Sequence, residues 1–140
     1  MGKAYARGPT RLVFEEKDPR GYAEFHDQLL QHDTQGSVLT MRGVQRERPS
    51  LFELEAGFRA MKLPTLVLCG DEDDPTLEPG LFLKRTIATS ALQVLPRCGH
   101  TMNIEDPDAF NRAVLEFVTW VDAGRWWERN PETMKGGIIR

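Results

Sequence analysis

The sequence predicts an α/β fold built on a strand-helix-strand unit with parallel strands, and three observations predict it. Residues 64–70, Pro-Thr-Leu-Val-Leu-Cys-Gly, form a continuous apolar run bounded by Pro and Gly, as expected of a strand buried on both faces. Leu92-Gln93-Val94-Leu95 offers a second short strand. Between them, Glu78-Pro79 places a proline where a helix starts, and that helix reaches about Ala88. In such a unit the crossover leaves both strands running the same way, so both end on one edge of the sheet.

The remaining elements follow in chain order. The first dozen residues, with Gly2, Gly8 and Pro9, read as a loose lead-in, and Asp18-Pro19-Arg20-Gly21 breaks the chain after it. Tyr22, Phe25, Leu29 and Leu30 then recur at helical spacing, which predicts an amphipathic helix over 22–32. Periodicity does not decide residues 37–44, which are read as loop or short helix. Ser50 and Glu53 have the spacing of a capping box, in which each end residue satisfies an orphan amide of the first turn, so a helix is expected over 51–61. Asp106-Pro107 repeats the cap-then-proline start, and Phe110, Val114, Phe117, Val118 and Val121 continue at spacings of three and four. Gly124 ends that helix, Trp126 and Trp127 sit in a tail able to pack back on the body, and Lys135-Gly136-Gly137 reads as frayed.

Composition narrows the function classes. The 140 residues are 40% apolar and 28% charged, which suits one soluble domain with a modest core. Lys and Arg total 18 against 21 Asp and Glu, a net charge of −3, so no broad basic field exists to attract phosphate backbones and nucleic acid is not expected as a partner. No apolar run approaches the ~20 residues of a membrane span, and the start Met-Gly-Lys-Ala-Tyr-Ala-Arg lacks a signal peptide's apolar stretch. A cytoplasmic chain with no membrane partner is expected. Met1-Gly2 resembles an acylation start, but Ala6 stands where that signal wants Ser or Thr. Cys69 and Cys98 form no Cys-x-x-Cys pair and are expected as buried, reduced thiols.

The chemistry collects in the two loops that leave the shared strand edge. The first is Gly70-Asp71-Glu72-Asp73-Asp74-Pro75 and the second is Arg97-Cys98-Gly99-His100-Thr101. Neighbouring strands lie ~4.8 Å apart, so a carboxylate of the first loop can reach a ring nitrogen of His100. A carboxylate that accepts the Nδ1 proton fixes the tautomer and leaves Nε2 as a general base. The acidic run also has a plainer reading as a solvated turn or cation site, although it lacks the alternating ligands and central Gly of an EF-hand loop. Cys98 is two residues from His100, but a thiol nucleophile needs its own exposed turn and oxyanion donors, and a structural role is expected. His26 and His32 are read as surface residues. No metal and no cofactor are expected.

Leu-Pro-Thr-Leu-Val-Leu-Cys-Gly-Asp-Glu-Asp-Asp at 63–74 and Gly-His-Thr-Met-Asn-Ile-Glu-Asp-Pro-Asp-Ala-Phe at 99–110 together resemble the C-terminal half of an α/β-hydrolase, over about residues 50–123. In that family the triad runs Ser, then Asp or Glu, then His, and here an acid and a His follow successive strands. The resemblance implies Asp73 as the acid, with Asp74 the runner-up, and His100 as the base. It implies the fold's last two core strands with their helices at 63–123, a partial helical cap at 1–62 and a tail at 124–140. The implied activity is cofactor-free hydrolysis of esters or related acyl or C–C substrates.

The family's nucleophile sits on a Gly-x-Ser-x-Gly elbow, and none occurs here; Ser37, Ser50 and Ser90 are the serines, none in a strand-turn-helix setting. A His-Gly-Gly type oxyanion loop is also missing. Without nucleophile and oxyanion donors an Asp-His pair does no acyl transfer, so this chain alone is expected to be inactive. Two parallel strands also need neighbours. The expectation is therefore a piece of a longer product, or a chain that pairs with a separate N-terminal half, or a homodimer through the open strand, in that order. A small-molecule substrate is expected only of the completed protein. The rival reading is a non-catalytic binding or assembly module made from the same fold.

Overall fold

A computed structural model of the chain describes residues 7–134. A 3₁₀ turn at Pro9–Arg11 leads into α1 (Leu12–Lys17), α2 (Pro19–Leu30) and α3 (Thr34–Thr40), which continues as a π turn at Met41–Gln45. A second 3₁₀ turn, Leu51–Leu54, opens α4 (Glu55–Ala60), and the α/β unit follows as β1 (Thr65–Gly70), α5 (Asp74–Thr86) and β2 (Ser90–Leu95). The one-turn α6 (Met102–Glu105) and the long α7 (Pro107–Asp122) complete the order before a last 3₁₀ turn at Pro131–Met134. The strands pair in parallel, Thr65 opposite Ser90 through to Gly70 opposite Leu95, as the strand-helix-strand order predicts. Among the described residues no helix is long and apolar enough to cross a membrane.

The described part of the lead-in, from residue 7, is more ordered than its sequence suggests. Six residues are too few to hold a helix by backbone bonds alone, so α1 depends on tertiary burial. Its Phe14 is fully buried and meets the rings of Tyr22 and Phe25 edge-on, with centroids 5.8 and 5.9 Å apart. Arg11, buried beside it, stacks its guanidinium over the Phe25 ring at 5.8 Å. The break at Asp18-Pro19 is in fact the start of α2, because Asp18 accepts the Gly21 amide proton at 2.9 Å and Pro19 occupies the first turn. Residues 37–44 belong to α3 and its π turn, started by Asp33, which accepts from the Gly36 amide at 2.6 Å.

Three other expectations shift. Ser50 Oγ accepts from the Phe52 amide at 3.4 Å rather than from Glu53, so the 51–61 segment opens as a 3₁₀ turn and no reciprocal capping box closes. Helix α5 begins at Asp74, four residues before the expected start, because the Thr76 amide and hydroxyl both donate to the Asp73 carbonyl, at 2.8 and 2.9 Å, and close a turn there. Pro79 therefore lies inside the helix, where it removes one backbone bond. What holds α5 in place is its packing on the sheet: Gly80 allows so close an approach that a Cβ would stand 2.6 Å from Cys69 Sγ. Strand β2 starts at Ser90, two residues early. Neither strand is buried on both faces: Thr65 to Leu68 are half-buried, and Val94 is exposed, because in a two-stranded sheet each strand has only one paired edge.

The carboxy-terminal helix matches its signals. Asp106 accepts from the Ala109 amide at 3.1 Å, and Gly124 leaves the helix with φ +64°. Trp126 packs edge-on against Phe117, with centroids 4.8 Å apart, and its indole N–H donates to the Thr89 carbonyl at 2.7 Å. Trp127 is largely exposed. Lys135-Gly136-Gly137 and the Met1-Gly2 and Ala6 positions lie outside the described residues.

The Trp126 bond ties the tail to the turn between α5 and β2. Trp126→Phe keeps most of the packing but leaves the Thr89 carbonyl with only the longer bond from the Thr65 amide, at 3.4 Å, so urea unfolding is expected to show a loss of about 1 kcal/mol. Trp127→Phe should stay within about 0.5 kcal/mol of the parent.

Candidate functional site

Parallel pairing delivers the ends of β1 and β2 to one edge, and backbone bonds lock the two exit loops together. The Asp71 amide donates to the Leu95 carbonyl at 3.1 Å, and the Glu72 amide to the Cys98 carbonyl at 2.9 Å. Asp71 Oδ1 accepts in return from the Cys98 amide at 3.2 Å. Arg97, at φ 55°, turns the second loop back in a conformation that few side chains adopt. Gly70 is required where the loops touch: a Cβ there would collide with the carbonyl oxygens of Cys98 and Gly99.

His100 sits at the outer end of this arrangement. Its Nδ1 lies 2.8 Å from Asp73 Oδ2, with the imidazole side chain half exposed and the Asp73 side chain 3% exposed. A buried carboxylate must be paired to be tolerated, and the ring supplies that partner. With the carboxylate as acceptor the neutral ring carries its proton on Nδ1, so the Nε2 lone pair is left for chemistry. Among the described residues nothing hydrogen-bonds Nε2. Asp74, the other acid considered, is exposed at the start of α5 and is not brought to the ring.

The backbone around His100 is held as firmly as the ring. The Gly99 amide donates to Glu105 Oε2 at 2.6 Å, the His100 amide to the Thr10 carbonyl at 2.8 Å, and the Thr101 amide to Glu105 Oε1 at 2.9 Å. The Thr101 hydroxyl adds a bond to Glu105 Oε1 at 2.8 Å. Sequence reasoning missed both partners. Thr10 acts through its carbonyl, which no residue type reveals, and Glu105 reads as one more acid beside a helix start.

The other candidates take local roles. Cys98 is wholly buried, and burial pushes its thiol up despite Lys17 Nζ at 3.3 Å, which pulls the other way. Burial also raises Cys69, partly offset by the Thr76 side chain, while the thiol donates to the Thr76 carbonyl at 3.6 Å. Both thiols are free. Ser37 donates to the Asp33 carbonyl, Ser50 caps its turn, and Ser90 donates to the Ile87 carbonyl at 2.8 Å, so each hydroxyl is engaged locally. His32 is exposed as expected, whereas His26 is half-buried, 6.4 Å from the Tyr22 ring centroid. Among the described residues no group of three His, Cys, Asp or Glu is placed to hold a metal ion.

No family model matches the chain. Over 70 residues, 49% of this chain, it is 37% identical to a 2-hydroxy-6-oxo-6-phenylhexa-2,4-dienoate hydrolase of Burkholderia cepacia, of which that stretch is 24%. Over 80 residues, 56% of this chain, it is 38% identical to the 2-hydroxymuconate semialdehyde hydrolase of Pseudomonas sp. (strain CF600), of which that stretch is 28%. The matched stretches thus span about a quarter of those relatives. Among solved structures, MenH from S. aureus superposes with a TM-score of 0.75 at 21% identity, covering 84% of this chain and 44% of that one. The parallel strand-helix-strand unit and the superposition on MenH show that the chain has the C-terminal part of the α/β-hydrolase fold, and in sequence it is similar to hydrolases over that part.

Proposed function

We propose that Asp73 and His100 are the acid and base of a Ser-Asp-His hydrolase acting on esters or related acyl or C–C substrates, with the serine supplied from outside these 140 residues. The observation that carries this reading is the 2.8 Å contact between a buried carboxylate and Nδ1 of a half-exposed imidazole. In the proposed reaction Nε2 takes the serine hydroxyl proton as Oγ attacks the substrate carbonyl carbon. Asp73 stabilises the imidazolium that results, and Nε2 then returns the proton to the leaving group. Water repeats the cycle to release the acyl group. The serine-bearing turn and the oxyanion donors would come from the completing segment.

Residues 1–62 are assigned to a partial cap over the substrate, 63–123 to the hydrolase core and 124–140 to a tail. The names of the relatives make a 2-hydroxy-6-oxo-dienoate the substrate to try beside simple activated esters. Free, buried thiols agree with a reducing compartment, so we assign the protein to the cytoplasm.

The purified chain is expected neither to label with a fluorophosphonate probe nor to hydrolyse an activated ester above buffer. Grafted in place of the corresponding end of the Burkholderia dienoate hydrolase, it should support turnover. There His100→Ala and Asp73→Asn should each lower kcat by roughly 10³–10⁴-fold. Turnover in a folded graft that survives His100→Ala would reject the assignment. A chain that folds alone and binds a protein without ever supporting turnover would favour the assembly-module reading, for which the open strand edges speak.

The rival thiol nucleophile has its own test. Burial holds Cys98 and Cys69 above their ordinary value of 9.0, so the folded chain should react with iodoacetamide far more slowly at pH 8 than the urea-unfolded chain. Above about pH 9 the unfolded state loses thiol protons that the folded state retains. Stability should therefore fall as pH rises through that value, read as a declining urea midpoint. Fast labelling of native Cys98 would reopen its case as a nucleophile.

A further inference from the structure

The Asp73–His100 bond has a narrow tolerance. A hydrogen bond of 2.8 Å is gone once the partners separate beyond about 3.5 Å, so a loop shift of less than 1 Å removes it. His100 nevertheless lies on an irregular loop with its side chain half exposed, where packing alone does not fix it. What fixes it is visible in the backbone. The three amides that bracket its Cα, those of Gly99, His100 and Thr101, all have partners, and two of them share Glu105.

We propose that Glu105 is the positioning residue for His100: its carboxylate grips the peptide N–H groups on both sides and thereby sets the imidazole at bonding distance from Asp73. This rests on the reading of His100 as the base and names a residue that acts through it. Glu105 does not touch the reacting atoms.

Three features single out a glutamate at this place. Three donors converge on it, the Gly99 and Thr101 amides and the Thr101 hydroxyl. A carboxylate satisfies such a set, whereas a carboxamide would turn an NH₂ toward an N–H. The residue as a whole is buried, at 8% exposure, so water competes little for those bonds. Its reach is also set by the one-turn helix α6, in which the Glu105 amide donates to the Thr101 carbonyl at 3.0 Å and folds the carboxylate back over the loop. Gly99 leaves the room: a Cβ there would collide with the Thr10 carbonyl and stand 3.2 Å from Glu105 Oε1.

The clamp lies within residues 99–105 and needs no nucleophile, so it can be tested in the 140-residue chain itself. The probe is the low-field proton resonance of His100 Nδ1–H in ¹⁵N-histidine-labelled protein. The unmodified chain should show it, and Asp73→Asn should abolish it, which identifies the signal. Thr101→Val removes only the hydroxyl donor and should leave it in place. Glu105→Gln should lose it while the Trp126 indole resonance and the β1 and β2 amides remain at their parent positions. Glu105→Asp, with the charge kept and the arm one methylene shorter, should broaden or shift it.

A folded Glu105→Gln chain with the Nδ1–H resonance unmoved would overturn the proposal. If that variant does not fold, Glu105→Asp is judged by the same criterion. Collapse of both would also overturn it, since Glu105 would then hold the fold and not the ring. None of these readings depends on turnover. Failure of the graft with the resonance behaving as described would sink the hydrolase assignment and leave the clamp intact, and the reverse pattern would do the opposite.

Discussion

At Gly70 and Gly99 three stretches of backbone close on one another with no side chain between them. The end of β1 lies against the Cys98 and Gly99 carbonyls, and Gly99 in turn lies against the Thr10 carbonyl. Everything that makes the site depends on this stacking. It brings the Asp73 loop beside the His100 loop, it seats the amino-terminal turn where its carbonyl takes up the His100 amide, and it leaves the space that the Glu105 carboxylate fills. Contacts between main chains have no rotamers to relax into, so the spacing they impose is stiff in a way that side-chain packing is not. Among the described residues a sheet of two strands supplies the platform, and close backbone contact supplies the precision.

The acidic residues around this contact do three different jobs, which their shared charge conceals. Asp71 braces the Cys98 amide, Asp73 binds the imidazole, and Glu105 clamps the peptide bonds of the histidine loop. Two of these carboxylates are buried, and each has found donors, as the cost of an unpaired buried charge demands. Asp74, one residue along, stays in water and serves the first turn of α5, where a negative charge suits the helix dipole. Adjacent positions thus part company according to whether the chain carries them toward the second loop or away from it. This division speaks against a cation site at the acidic turn, since two of its four acids are already engaged with the histidine loop.

What the sequence disclosed was what periodicity and type can encode. The apolar run into Gly70, the cap at Asp106 with its 3–4 repeat, and the placing of Asp73 and His100 after successive strands were all legible, because each is a local pattern or a consequence of parallel topology. Helix α1 was not, since six residues are too few to show a period or hold a helix alone and are fixed by Phe14 among the rings of Tyr22 and Phe25. The start of α5 was misplaced because two acid-proline pairs compete, at 74–75 and 78–79, and the choice falls to the Asp73 carbonyl, which gathers both donors of Thr76. Glu105 and Thr10 escaped for a related reason. Their partners are peptide groups, and peptide groups leave no trace in a one-letter string.

Every bond described as setting the Asp73–His100 pair lies between Thr10 and Glu105. On the proposed function, a completing segment would therefore not have to build the base or choose its tautomer. It would have to bring a hydroxyl to the open Nε2 side of the ring, and oxyanion donors on the far side of the substrate carbonyl. The unpaired edges of β1 and β2 offer the attachment for that approach, because strand addition there extends the same parallel sheet whose ends already carry both loops. Preorganisation of one half and supply of the nucleophile by another are then separable problems, and the geometry around Glu105 is the solution to the first.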